Sequence, residues 1–166
     1  MNWLGDQEDT IFLGQAVGVP GTGMYNTLKD ISIDKRIELP VFEETQMGMS
    51  IGLSITNKVP VSIYPRWNFL LCAVNQLVTH LDAMPDFSHG EYLPKVIIRT
   101  SIGSERPLHP QAQHVGDYSE AFKKMLKRTD VVVLDDSDQI VDAYKKAYRS
   151  DHSTILVEYG DYYNEK

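Results

Sequence analysis

The chain has 166 residues, 42% of them hydrophobic and 23% charged, with a formal net charge of −7 and a pI near 5.1. That length suffices for one domain with a sizeable core and is too short for two ordinary ones. The acid excess argues against a nucleic-acid partner, because nucleic-acid binders carry a basic face. No apolar run approaches the ~20 residues that span a bilayer. The opening residues, with Asp6, Glu8 and Asp9, have neither the basic region nor the apolar stretch of a signal peptide. A cytoplasmic protein without membrane contact is expected. The one cysteine, Cys72, lies in an apolar helical run, so no disulfide framework exists and a small, buried, inert thiol is expected.

Residues 10–14 read as a buried strand ended by Gly14, and residues 17–23 as a Gly/Pro loop. Residues 36–39 form a short strand stopped by Pro40. A helix is predicted over 43–56, then a turn at Asn57 and Lys58, then a strand over 61–64. An amphipathic helix follows over 68–83, with Leu71, Val74, Val78 and Leu81 at three- and four-residue spacing. Residues 84–94 are a loop, 95–99 a strand, and 100–117 a long polar stretch without a periodic pattern. A helix over 118–127 leads to a nearly continuous apolar strand over 130–134. Ser137 is placed to cap a helix over 138–149, and residues 154–158 form the last strand.

Strands apolar on both faces and separated by helices predict a single three-layer α/β domain, with a mostly parallel sheet covered by helices on both sides. In such sheets ligands sit at the carboxyl ends of the strands. Two features follow strand ends: the 100–117 stretch, long enough to suggest function, and Glu43. Glu43 stands where a strand hands over to an apolar helix, and burying a charge without a partner is costly, so something should meet it there. The plainer reading is a first-turn glutamate facing the helix dipole. The chain carries no GxGxxG, no P-loop, no CxxC, no HExxH and no GxSxG, and His109 and His114 are not at a helical ligand spacing. No metal site is expected.

Residues 14–18, residues 35–69 and Ala112-Gln113-His114 resemble the beta subunits of the thiamine-diphosphate-dependent 2-oxoacid dehydrogenases, whose wider relatives are the transketolases. The resemblance is to the pyrimidine-binding domain and runs from Ile11 to Tyr159. It is strongest in Lys35-Arg-Ile-Glu-Leu-Pro-Val-Phe-Glu43, then in Trp67-Asn68-Phe69 followed by an apolar helix containing Asn75-Gln76.

The resemblance implies that Glu43 hydrogen-bonds the pyrimidine ring nitrogen of thiamine diphosphate. That bond favours the imino tautomer that generates the cofactor's ylide. A buried carboxyl suits this role because it can share or hand over a proton near neutrality. Phe69 matches the aromatic that stacks on the aminopyrimidine. His114 matches a histidine facing the substrate end, where it could orient substrate or an incoming lipoyl group. Pro65 stands where relatives carry an apolar residue touching the pyrimidine. Trp67 completes the cofactor-side set, with packing or an interface as its plainer role. Glu44 is a dipole or surface residue. Gly48 and Gly52, four apart on one helix face, suggest a close approach, within the domain or across a subunit contact.

Departures accompany the match. Gln15 replaces a glutamate usual in relatives, and 100–106 lack their glycine-rich turn. The diphosphate-binding domain and the C-terminal transketolase-type domain have no counterpart in residues 1–166, which read as one pyrimidine-binding domain. The resemblance thus implies a subunit of a split thiamine-diphosphate enzyme acting on 2-oxoacids or ketoses. It would be inactive alone, in a homodimer or hetero-oligomer with a diphosphate-binding chain that also holds Mg²⁺. The alternative is a non-catalytic interaction or regulatory module that keeps the fold.

Overall fold

A computed structural model of the chain describes residues 1–103 and 109–164. Six strands form one parallel sheet in the order β2-β1-β3-β4-β6-β5. They are β1 (Thr10–Gly14), β2 (Arg36–Glu38), β3 (Val59–Ile63), β4 (Ile97–Ile102), β5 (Asp130–Leu134) and β6 (Thr154–Tyr159). β3 and β4 are buried along their whole length, as interior strands of a doubly covered sheet should be. The edge strand β5 is only half-buried over Val131, Val132 and Val133.

One helical layer holds α3 (Glu43–Ile55), α4 (Trp67–Leu71), a π-helical turn (Gln76–Leu81) and α6 (Ser119–Met125). Met47, Ile51, Tyr64, Trp67, Leu70, Leu77 and Phe122 pack there against Ile98, Ile155 and Val157 of the sheet. The other layer holds α1 (Asn2–Gly5), α2 (Gly23–Asn26) and α7 (Ile140–Arg149), with Leu4, Met24, Tyr144 and Ala147 against Phe12, Val61, Ile97 and Leu156. Each fully buried Leu, Ile or Phe contributes about 1.5–3 kcal/mol of transfer free energy. The three-layer α/β domain read from the sequence is the one observed.

Three local expectations are corrected. The helix expected over 68–83 breaks after Leu71, widens into the π turn and resumes as α5 (Met84–Phe87). The buried positions are Leu70, Ala73, Leu77 and Leu81, one residue out of phase with the expected face at its start, so Leu71 is exposed. The π turn, with the Asp82 N–H donating to the Leu77 carbonyl, turns Asp82 inward. Its carboxylate there accepts the backbone N–H groups of Lys127, Arg128 and Thr129 at 2.8, 2.9 and 2.8 Å. Cys72 falls on the outer face of the same segment and is exposed, not buried. The helix over 138–149 is capped by Asp136, whose carboxylate accepts from the Asp138 N–H, and not by Ser137.

The polar stretch over 100–117 begins as the buried end of β4 and contains a 3₁₀ turn at Ala112–His114; residues 104–108, which include part of the altered post-strand loop, lie outside the described residues. Among the described residues no helix is long and apolar enough to cross a membrane.

At the amino ends of β5 and β6, His152 Nε2 lies 2.9 Å from Asp130 Oδ2 and Nδ1 lies 2.9 Å from Asp151 Oδ1. Hydrogen bonds to Asp130 and then Asp151 hold the imidazolium above its ordinary value of 6.5. The folded state therefore binds this proton more tightly than the unfolded chain. The stabilisation is complete below about pH 6.5 and is lost as pH rises through the folded-state value. The ring is 39% exposed, so the contribution is only about 0.2–1 kcal/mol. Urea unfolding at about pH 5.5 and about pH 8.5 checks this, since His152→Gln should narrow the difference between the two.

Candidate active site

The chain direction along the sheet reverses between β1 and β3: the connection from β1 leads to β2 on one side, and that from β3 leads to β4 on the other. A crevice outside the carboxyl ends of the strands forms at such a reversal. Gln15 follows β1, Glu43 follows β2, residues 64–69 follow β3, and His114 lies beyond β4.

Gly14 closes β1 with φ at +143°, and a Cβ on it would collide with the Ile63 carbonyl oxygen of β3. Only glycine fits so close a backbone approach. The next residues are pinned by Glu38, whose carboxylate accepts the N–H groups of Ala16, Val17 and Gly18 at 2.9, 2.8 and 2.7 Å. Gln15 is thereby held at the carboxyl end of β1.

Glu43 is the first residue of α3 and only 7% exposed. Pro40 stops β2, and the chain turns into the helix at Phe42, so the carboxylate meets the positive end of the helix dipole, as its plainer reading expects. One oxygen, Oε1, accepts from Gln15 Nε2 at 3.2 Å. The other makes no hydrogen bond among the described residues. Tyr64, at the exit of β3, donates its hydroxyl to the Glu43 carbonyl at 3.2 Å. Burial pushes the Tyr64 hydroxyl far above its ordinary value, so it stays a neutral donor and ties β3 to the start of α3. One turn further along α3, Gln46 is buried and donates to Ser62 Oγ at 3.1 Å and to the Ile63 carbonyl at 2.9 Å, while its own amide oxygen has no partner among the described residues. Val41 and Phe42 beside Glu43 are 65% and 64% exposed.

The second group centres on α4. His114 Nδ1 lies 2.9 Å from Asn68 Oδ1, and the His114 ring stacks on Phe69 with centroids 5.7 Å apart and planes inclined by 28°. A Cβ on Gly103 would collide with the His114 carbonyl, so the loop rides directly on the end of β4. Phe69 and His114 are half-buried. No hydrogen bond or ring contact among the described residues joins them to Glu43; the two groups meet through the β3 exit.

Pro65 is half-buried, and its carbonyl accepts from Ser101 Oγ at 2.8 Å. Trp67 is 1% exposed and packs against Phe122 at 4.8 Å and Tyr118 at 6.4 Å, which makes it a core residue. Glu44 is exposed and accepts from Asn75 and Gln76 at 3.3 and 3.5 Å. His109 and His80 are both exposed. Sequence reasoning noted Gln15 only as a departure and gave Asn68 no role. A polar residue between the two aromatics Trp67 and Phe69 was the available signal for Asn68.

The chain is similar to known proteins over most of its length. The chain is 28% identical over 165 residues to a pyruvate dehydrogenase E1 component subunit beta of Gracilaria tenuistipitata var. liui, covering 97% of this chain and 50% of that protein. It is 29% identical over 158 residues to the chloroplastic subunit beta-3 of Arabidopsis thaliana, covering 93% of this chain and 38% of that one. The chain thus spans half or less of the length of these curated relatives. No family model matches the chain. Its fold is similar to a split-gene transketolase solved as an inactive beta4 tetramer, with a TM-score of 0.71, 18% identity and coverage of 92% of this chain and 45% of that one. It is also similar to a putative thiamin diphosphate-dependent enzyme from Mycobacterium smegmatis, with a TM-score of 0.64, 17% identity and coverage of 95% and 28%. The domain has the transketolase-like pyrimidine-binding fold, and the resemblance read from its sequence is borne out: its relatives are pyruvate dehydrogenase E1 beta subunits.

Proposed function

We propose that this domain is the pyrimidine-binding part of a split thiamine-diphosphate enzyme acting on 2-oxoacids or ketoses. The observation that carries the reading is Glu43: a buried carboxylate at the sheet reversal, on a helix N-terminus, with one oxygen bonded to Gln15 and the other without a partner among the described residues. That donor-seeking oxygen fits a ring nitrogen able to share a proton. Thiamine diphosphate bound there would supply a carbon nucleophile for a substrate carbonyl, giving decarboxylation or transfer of a two-carbon or acyl unit.

Glu43 holds the shared proton on its carboxyl, and Tyr64 keeps its backbone in place. Phe69 walls the aminopyrimidine, Pro65 closes the apolar side, and Trp67 supports both from the core. His114 orients the substrate.

A separate chain supplies diphosphate and Mg²⁺ binding. The exposed Val41 and Phe42 beside the buried acid favour a covering partner. So do Gly48 and Gly52, which are exposed and, among the described residues, have nothing within 4 Å of an added Cβ, leaving their close-approach surface for another chain, as in a homodimer or hetero-oligomer. Gln15, already seated on Glu43, favours a second reading as a non-catalytic module with the same fold. Purification from the native source with mass identification of bound chains and cofactor tests the proposal. Recovery of a diphosphate-binding chain together with thiamine diphosphate is expected; recovery of the protein alone or with unrelated chains and no thiamine overturns it.

A further inference from the structure

We infer that Asn68 is a positioning residue that holds His114 in the Nδ1–H tautomer and leaves the Nε2 lone pair as the working face of the ring. Nδ1 lies 2.9 Å from Asn68 Oδ1, an ordinary N–H···O length. An amide oxygen only accepts, so Nδ1 must carry the proton. In a neutral imidazole the lone pair then falls on Nε2, because the hydrogen bond at one ring nitrogen fixes the state of the other. Nε2 makes no hydrogen bond among the described residues, and the ring is half-buried.

Three further observations make this a built arrangement. Asn68 lies within the first turn of α4, between the buried Trp67 and the ring of Phe69, so its own position is set by the core. The stack on Phe69, at 5.7 Å and 28°, fixes the plane of the imidazole and leaves Nδ1 little choice of partner. Gly103 lets the His114 backbone sit directly on the end of β4, and Gln111, at φ 68°, holds the turn that presents the ring. A non-glycine residue at positive φ persists only where its surroundings impose it.

The use of this geometry rests on the proposed function. An Nε2 lone pair accepts a hydrogen bond or a proton from a substrate hydroxyl. The imidazolium formed by accepting a proton keeps its Nδ1–H bond to Asn68, so the ring need not reorient between the two states. The reverse pairing, with the amide N–H donating to a bare Nδ1, would put the proton on Nε2 and make His114 a donor.

Long-range ¹H–¹⁵N spectra of the ¹⁵N-labelled chain separate the two pairings without cofactor or partner. The expected spectrum gives His114 a protonated Nδ1 and a bare Nε2. Asn68→Leu should move most of the proton to Nε2, and Asn68→Asp, which still accepts from Nδ1–H, should restore the original state. A protonated Nε2 in the wild-type chain overturns the inference, whatever the variants do. A second arm measures turnover of the assembled complex: kcat/KM should fall ~10- to 10²-fold in Asn68→Leu and largely recover in Asn68→Asp. Equal losses in both variants, with the fold intact, would assign Asn68 a merely structural role and also overturn it. A correct tautomer in a complex without thiamine-dependent turnover would instead strike only the proposed function.

Discussion

Replacing Glu43 by glutamine is expected to cut turnover of the assembled complex by ~10²-fold or more, the scale on which a positioned acid–base group acts. The fold and the assembly should survive. Glutamine has the shape of glutamate, and its carbonyl oxygen can still accept from Gln15 Nε2, which now lies 3.2 Å from Glu43 Oε1. Position 43 also keeps its place at the start of α3, because the Tyr64 hydroxyl bonds the backbone carbonyl and not the side chain. What the substitution removes is the ability to hold and release a proton at the oxygen that makes no hydrogen bond among the described residues. Steady-state kinetics beside size-exclusion chromatography of the complex checks both halves. Full activity in Glu43→Gln would favour the non-catalytic module.

The largest expected effect on stability lies elsewhere, on the sheet face that packs against α2 and α7. Arg99 of β4 and Glu158 of β6 form an ion pair of 2.8 Å with both side chains almost wholly buried. Glu158 also accepts from the Tyr144 hydroxyl at 2.6 Å, and Arg99 donates to Thr27 Oγ1 at 2.7 Å. A buried pair of this kind adds little over an apolar core, but removing one member takes a close counter-charge away from the other. Glu158→Gln should therefore cost about 3–5 kcal/mol, which for a chain of this size lowers Tm by roughly 10 °C. The double variant Arg99→Met, Glu158→Leu should recover a good part of that loss. Urea unfolding of the single and double variants measures both, and a single variant within about 0.5 kcal/mol of the wild type would refute the account of this pair. The double-variant cycle also separates the coupling from the cost of each deletion.

The strands were legible from short apolar runs bounded by turn residues; residues 10–14 were found at their observed limits, and so were 130–134, although that edge strand is only half-buried. The place of Glu43 was legible because Pro40 ends one element three residues before another begins. What escaped the sequence depends on contacts far along the chain. The phase slip at Leu71 and the exposure of Cys72 follow from a π turn that directs Asp82 toward backbone N–H groups at 127–129, and no local pattern announces that partner. Asp136 outcompetes Ser137 as a cap because the helical turn starts one residue earlier than the apolar periodicity suggests. Gln15 reaches Glu43 across 28 residues, and His114 reaches Asn68 across 46. The sequence supplied the parts of both pairs, and only the folded chain joins them.

The central claim is that Glu43 meets the aminopyrimidine of thiamine diphosphate. A crystal structure of the chain with its diphosphate-binding partner and thiamine diphosphate tests it most directly. The account predicts the pyrimidine ring nitrogen at hydrogen-bonding distance, roughly 3 Å, from the Glu43 carboxylate, with the Phe69 ring alongside. A pyrimidine ring bound to a different carboxylate, or a Glu43 still occupied by Gln15 with no ring beside it, would contradict it.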